Sequence, residues 1–251
     1  MKAKNFMLVC ASESLPELDE KYDKWCEKEY IPYVFGDFNL LVAGHYKIVR
    51  GLSDPTHPGL AEPEGGYAKY LTIYEFASEE SYHAFENGPE MKKALASANK
   101  NWKNGEIVIK FQAQYKLRGT WLGQKKAKVG LIHITGVEIP EEADEAFNRY
   151  YHENTIPTMI KNPNLLRADS YQLVKGISRS VSPFITEHKG NYPKYYNIYR
   201  LESLEAFQVY EHSTEMITNN KNFAKFAEAW PPGTFKIVIR AQYLPLKIWT
   251  K

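Results

Sequence analysis

Two short stretches of strict alternation stand out along the chain. Tyr70–Phe76 reads Tyr-Leu-Thr-Ile-Tyr-Glu-Phe, and Tyr195–Leu201 reads Tyr-Tyr-Asn-Ile-Tyr-Arg-Leu. Alternation rich in aromatic and β-branched side chains predicts a half-buried strand in each. Leu71 and Ile73 share one face, opposite Tyr70, Thr72 and Tyr74; Tyr196 and Ile198 share another, opposite Tyr195, Asn197 and Tyr199. A face of Tyr, Thr and Asn is too polar for an ordinary core and too aromatic for an ordinary surface. It suits the wall of a small-molecule cavity, where apolar bodies carry a few polar tips.

These strands belong to a larger self-similarity. Tyr46–Gly51 recurs as Tyr171–Gly176, 125 positions later, and the two tyrosine strands keep that offset. So do Ile31-Pro32 with Ile156-Pro157, Leu40-Leu41 with Leu165-Leu166, and Glu90-Met91 with Glu215-Met216. Near the end the offset becomes 128: Ala113-Gln114-Tyr115 matches Ala241-Gln242-Tyr243, and Trp121 matches Trp249. A colinear series of this length predicts a tandem duplication, residues 1–120 and 126–251, joined by the basic link Gly123–Lys128.

Each half carries the same element order. An apolar strand (Phe6–Ala11, Val129–Thr135) precedes a helix with a Pro and acidic start (Pro16–Tyr33, Pro140–Ile160). A second strand, a long Pro/Gly-rich connection and the tyrosine strand follow. A second helix begins near Ser78 or Ser203, each with Glu within three residues, a capping-box-like start. A last strand, 106–115 or 234–243, closes the unit. The order β-α-β-β-α-β predicts an α+β fold: two tandem ferredoxin-like repeats. In each, helices cover one sheet face and leave the other bare, and a bare aromatic face must find a partner. The two antiparallel sheets are therefore expected to close on each other as an intramolecular α/β barrel lined by the tyrosine faces.

The residues at this point resemble the dimeric α/β-barrel superfamily, especially its EthD-like and stress-responsive A/B-barrel members. The helix end Asp23–Pro32 is similar to that group's Trp-Tyr-x-x-Glu-His-x-Pro pattern, with Trp25, Glu29 and Pro32 matching. The group's His is Tyr30 here and Thr155 in the second half, and Asn154 replaces its Glu there. Relatives include cofactor-free decarboxylases, polyketide cyclases, quinone-forming monooxygenases and haem-binding enzymes, so the resemblance implies a fold and a cavity more than a reaction.

Composition narrows the classes. Basic and acidic residues nearly balance (32 against 30) and are interspersed, which points to neither nucleic acid nor an anionic membrane as partner. Two cysteines, Cys10 and Cys26, are too few for a disulfide framework and read as reduced thiols in a cytoplasmic protein. No segment has the length and apolarity of a signal peptide core or membrane span. No zinc-type spacing, phosphate-cradling glycine loop, Gly-x-Ser-x-Gly elbow or dinucleotide fingerprint occurs, so no metal and no cofactor is expected.

His133 is the sharpest candidate for chemistry. If Ile132 and Ile134 face the helices, His133 points into the barrel, where an imidazole of ordinary pKa can move a proton at neutral pH. Cys10 is taken as its counterpart in the first half. Tyr195 and Tyr199 with Tyr70 and Tyr74 would hold a carbonyl or enolate oxygen, and Asn197 would orient the substrate. Arg240 and Gln242 are expected inward, Arg240 facing a carboxylate or phenolate; Asp169 would bind substrate or orient a histidine. His57 and His188 lie in the long connections, which are often lids. A packed aromatic core with internally bonded hydroxyls is the competing reading of the whole set.

Three functions remain open. One is a cofactor-independent lyase, cyclase, isomerase or decarboxylase acting on a hydrophobic aromatic or polyketide-like small molecule, with His133 as acid or base. The second is a binding or stress-associated protein using the same cavity without turnover. The third is a monooxygenase whose substrate itself activates oxygen, or a haem-dependent relative. The fused second half lets a monomer be complete, and a homodimer through the Trp121 and Trp249 segments stays open.

Overall fold

The computed structural model describes residues 4–52, 66–177 and 192–251. His57 and His188 lie outside them. The first half runs β1 (Phe6–Ser14), a 3₁₀ turn (Pro16–Leu18), α1 (Asp19–Trp25), a π-helical turn (Cys26–Tyr30), α2 (Ile31–Phe35), β2 (Leu40–Gly51), β3 (Tyr70–Phe76), α3 (Glu79–Glu86), α4 (Pro89–Asn101) and β4 (Ile107–Leu122). The second half follows as β5 (Leu131–Glu138), α5 (Glu141–Tyr150), a π turn (Tyr151–Thr155), α6 (Ile156–Met159), β6 (Leu165–Gly176), β7 (Tyr195–Leu201), α7 (Leu204–Glu211), α8 (Thr214–Ala227) and β8 (Lys236–Thr250).

Local chemistry explains several boundaries. Ser78 and Ser203 cap α3 and α7, their hydroxyls accepting from the Ser81 and Ala206 amides at 3.3 and 3.2 Å. The first helix of each half, expected unbroken, is segmented. Pro32 and Pro157 have no amide hydrogen for the helical ladder and crowd the turn before them, and a widened π turn precedes each at the same place in both halves.

All strand pairs between neighbours are antiparallel, and the eight close into one barrel in the order β1-β3-β2-β8-β5-β7-β6-β4. Each half contributes four adjacent strands, and the seams are β2–β8 and β4–β6. The last strands run longer than expected because their second stretches cross to the other half. Trp121 lies opposite Ala168, and Trp249 opposite Ala43. The segments expected to offer a dimer surface are therefore used inside the chain to close the barrel.

The strands' orientation reverses the expected faces. Met7, Val9, Leu71, Ile73, Ile132, Ile134, Tyr196 and Ile198 fill the lumen. Tyr70 and Tyr74 pack under the first half's helices, and Tyr195 and Tyr199 under the second's. An eight-stranded barrel is just wide enough for side chains to fill. Its dry interior takes branched aliphatics and rings whose hydroxyls find backbone: Tyr115 donates to the Pro193 carbonyl at 3.4 Å and Tyr243 to the Ala68 carbonyl at 3.2 Å. These two bonds are reciprocal, each half reaching into the other.

One end of the lumen carries charge. Arg200 binds Glu75 (3.1 Å) and Asp169, and Asp169 also accepts from Arg167 and, at 2.6 Å, from Thr120. Burial alone would raise the Glu75 carboxyl, but Arg200 and Lys4 beside it hold it below the ordinary glutamate value. Glu75 and Arg200 occupy equivalent places in the two repeats. Two identical repeats would set like charges together here, so the pair belongs to a diverged, fused chain. Asp169 is committed to this network, away from every described histidine candidate, which corrects its expected substrate-binding role.

Candidate functional site

A cavity of about 170 Å³ lies between the first half's sheet and its helices. Its floor comes from Leu8, Cys10 and Ser12 of β1 with Thr72 and Tyr74 of β3; its roof comes from Tyr22 and Trp25 of α1 and Cys26 and Tyr30 of the π turn. Tyr82 and Phe85 of α3 and Ala98 of α4 close the sides, and the exposed Glu86 marks where it meets solvent. The π turn matters here. By widening the helix it presents Cys26 and Tyr30 to the same space as Trp25.

The walls are fixed from outside. The Trp25 indole donates to Ser97 Oγ at 2.9 Å, and Ser97 donates to the Glu29 carboxylate at 2.9 Å. Glu29, one of the residues carrying the family resemblance, thus anchors a cavity wall. Trp25 stacks near Tyr30, ring centres 4.7 Å apart, and Ser12 shares a 2.8 Å hydrogen bond with Tyr22. Burial pushes the Cys10 thiol up to about 12 and raises the Cys26 thiol and the Tyr22, Tyr30 and Tyr74 phenols. At neutral pH the cavity therefore offers neutral hydroxyl donors and inert thiols. It is apolar and aromatic with a few polar tips. An engineered cavity of about 150 Å³ holds benzene, so the volume suits a single substituted ring.

Around the same place the second half carries larger side chains at several positions. Tyr151 stands where Cys26 does, Phe223 where Ala98 does, and Val137 where Ser12 does, by the repeat offset and strand register. The Tyr151 hydroxyl meets Tyr199 at 2.7 Å, and Phe147 packs on Tyr151, Tyr195 and Phe235.

Of the candidates, Tyr74 lines the cavity and Tyr70 does not. The others do not reach it. His133, Tyr199, Asn197, Arg240 and Gln242 are brought together on the helix-facing side of β5, β7 and β8 in the second half, not in the lumen. The pairing register makes Leu8, not Cys10, the counterpart of His133, since Leu8 faces Tyr74 as His133 faces Tyr199. His133 lies against Tyr199 and Phe207, ring centres 5.8 and 4.8 Å away. Burial, with Arg240 and Arg50 nearby, pushes its imidazole down to about 3, so it is neutral and a poor base at pH 7. Arg240 bonds Glu211 at 3.2 Å, and Gln242 accepts from Arg50 at 3.0 Å. Tyr195 donates to Asp144 at 2.6 Å, and Asn197 donates to Thr135 at 3.3 Å.

Sequence reasoning passed over Tyr22, Cys26 and Tyr82. A signal existed at two positions: at offset 125 Cys26 stands against Tyr151 and Ala98 against Phe223. No described histidine lines the cavity, and its volume is too small for a porphyrin, so its residues do not fit a haem. Among the described residues no group of three or more His, Cys, Asp or Glu is placed to hold a metal ion. No described helix is long and apolar enough to cross a membrane.

No family model matches the sequence, and no curated protein does. Solved structures do match in shape. A protein from Fusobacterium nucleatum, provisionally named a monooxygenase, superposes with a TM-score of 0.63 at 14% identity, covering 100% of this chain and 96% of its own. One from Lactobacillus acidophilus, named in the same way, gives 0.58 at 11% identity over 99% and 97%. An anthrone oxidase-like protein gives 0.58 at 11% over 99% and 94%. The fold is the dimeric α/β barrel, fused within one chain. At these identities the likeness of the fused barrel to its neighbours concerns the fold alone.

Proposed function

We propose that this protein is an enzyme that binds a single-ring phenol or enol in the first-half cavity and oxidises it with molecular oxygen, using no resident cofactor. The observation that carries the reading is the cavity itself: aromatic, set beneath the helices and walled by neutral hydroxyl donors. Such donors favour a phenolate or enolate oxygen over water-exposed alternatives, because charge developing there meets hydrogen bonds that need no reorganisation. A strongly reducing anion of this kind, such as a hydroquinone-type phenolate or a carbanion-like enolate, can transfer electrons to oxygen without a cofactor. For a phenol with a free ring position the balance is substrate plus O₂ giving quinone plus water, one oxygen atom entering each product. The names of the shape neighbours agree with this reading, although they belong to those proteins. The lyase or isomerase reading has less support, because His133 lies outside the cavity.

The test is oxygen uptake with single-ring phenols, with ¹⁸O₂ label traced into the product by mass spectrometry. Uptake with label in the quinone is expected. Product formed without oxygen uptake would favour acid–base chemistry, and saturable binding without any product would favour a binding protein.

A further inference from the structure

Behind the cavity floor, Thr72 leads to a second polar group. Thr72 is one of the cavity-lining residues, and its hydroxyl lies 3.3 Å from Nδ1 of His45 on β2. The imidazole is 1% exposed, and its Nε2 faces Asp23 Oδ1 of α1 at 4.0 Å. Both of those atoms are buried with no hydrogen-bond partner among the described residues. The Asp23 side chain is 31% exposed, and its other oxygen accepts from Lys47 at 3.2 Å. Thr72, His45 and Asp23 therefore form a line from the cavity floor to the part-exposed Asp23 carboxylate.

The ring is held for this geometry. Tyr70 stacks on His45 with centres 5.6 Å apart and planes 13° apart, and Tyr22 packs beside both rings, 6.0 Å from His45 and 4.7 Å from Tyr70. With Nδ1 turned to a hydroxyl and Nε2 to a carboxylate, the tautomer carrying hydrogen on Nε2 fits: Nδ1 accepts from Thr72, and Nε2 points its hydrogen at Asp23. The charged groups around the ring are Asp23 from α1, Glu27 from the π turn and Lys47 from its own strand; Lys247, across the seam, bonds Glu27 at 2.9 Å. Burial outweighs the nearby carboxylates and pushes the imidazole down to about 4, so it stays neutral at pH 7. A neutral ring can take a proton at one nitrogen and release another at the second without accumulating charge. The second half has Asn197, Ser170 and Asn148 at the corresponding places. The line of titratable groups occurs only in the half that carries this cavity.

We propose that Thr72, His45 and Asp23 are a proton relay that carries the hydroxyl proton of a phenol or enol bound in the cavity to solvent. The inference rests on the functional reading above. The substrate O–H proton passes to Thr72 Oγ as the Thr72 proton passes to His45 Nδ1; the Nε2 proton passes to Asp23, which exchanges it with water. The O–H electron pair stays on the substrate oxygen as phenolate. Run in reverse, the relay returns a proton for the water-forming step and resets the imidazole. Thr72 is the residue that touches substrate; His45 and Asp23 act through it.

The probe is 4-nitrophenol, whose phenolate is coloured, so ionisation of the bound probe is followed directly after a pH jump. Thr72→Val, which keeps shape and loses the hydroxyl, and His45→Gln are expected to slow ionisation of the bound probe at least tenfold, read at saturating probe. Thr72→Ser should retain the rate, and added imidazole should restore it in His45→Gly, a rescue that a purely structural role would not give. Unchanged ionisation rates in Thr72→Val and His45→Gln with probe bound would overturn the relay and leave the cavity reading standing. Failure of the wild-type protein to bind the probe would overturn the cavity reading and the relay together.

Discussion

The two halves share a backbone plan and differ in what lies beneath their helices. In the first, Leu8, Cys26 and Ala98 leave a space of about 170 Å³; in the second, His133, Tyr151 and Phe223 occupy the equivalent positions. Small side chains that leave a void lose dispersion contacts, so the first half gives up stability that the second keeps. A duplicated fold can divide its labour in this way: one copy keeps a packed core that steadies the shared barrel, and the other tolerates a hole. The lumen between them shows a further divergence. Glu75 and Arg200 hold equivalent places with opposite charges.

The largest expected effect comes from undoing that last difference. Arg200→Glu would set three buried carboxyls together with Glu75 and Asp169, and should cost roughly 3–5 kcal/mol or more, read as the midpoint of urea unfolding. A variant within 1 kcal/mol of wild type would show that the charged end of the lumen is open to water.

The next comparison exchanges the fillings. Tyr151→Cys gives the second half the residue of the first, removes the Tyr199 hydrogen bond and should destabilise by about 2–4 kcal/mol. It should also create a site for xenon or benzene there, visible by thermal shift. Cys26→Tyr does the reverse. It should abolish phenol binding in the first half, while overpacking limits the stability cost to about 1–3 kcal/mol. Undiminished binding in Cys26→Tyr would mean that the ligand sits elsewhere.

Both halves contain a buried neutral histidine, and pH tests them together. The folded values of about 4 for His45 and about 3 for His133 lie below the ordinary 6.5. Between those limits the unfolded chain binds more protons, so stability rises with pH there. The contribution is whole above about pH 6.5 and is lost as pH falls toward 4 and then 3. The melting temperature should drop over that range, and His133→Gln should flatten the drop throughout it, most completely between about pH 4 and about 3 where His45 no longer contributes. The smallest effect concerns the helix rings. Ser97→Ala removes the acceptor of the Trp25 indole and should cost about 1 kcal/mol. Tyr150→Phe, at the equivalent place, should cost nothing, because the Tyr150 hydroxyl is buried without a partner among the described residues.

The repeat, the element order, the serine caps and barrel closure were all legible in the chain, because each depends on local spacing or on a simple need to cover a bare sheet. Alternation also assigned Tyr70, Thr72 and Tyr74 to one face and Leu71 and Ile73 to the other. It could not say which face turned inward. In most sheets one face is wet and the polar residues mark it. Here all seven residues of β3 are buried, one set in the lumen and the other under helices, so neither face carries a solvent label. Only barrel closure chose between them: the lumen is dry and must be filled, whereas the helix side supplies Asp144, Asn148 and Tyr151 as partners for phenolic hydroxyls. Likewise, spacing alone could not place His45 beside Thr72 and Asp23, because they come from β2, β3 and α1. Strand register and helix docking bring these distant positions together, and with them the side chains on which the proposed chemistry rests.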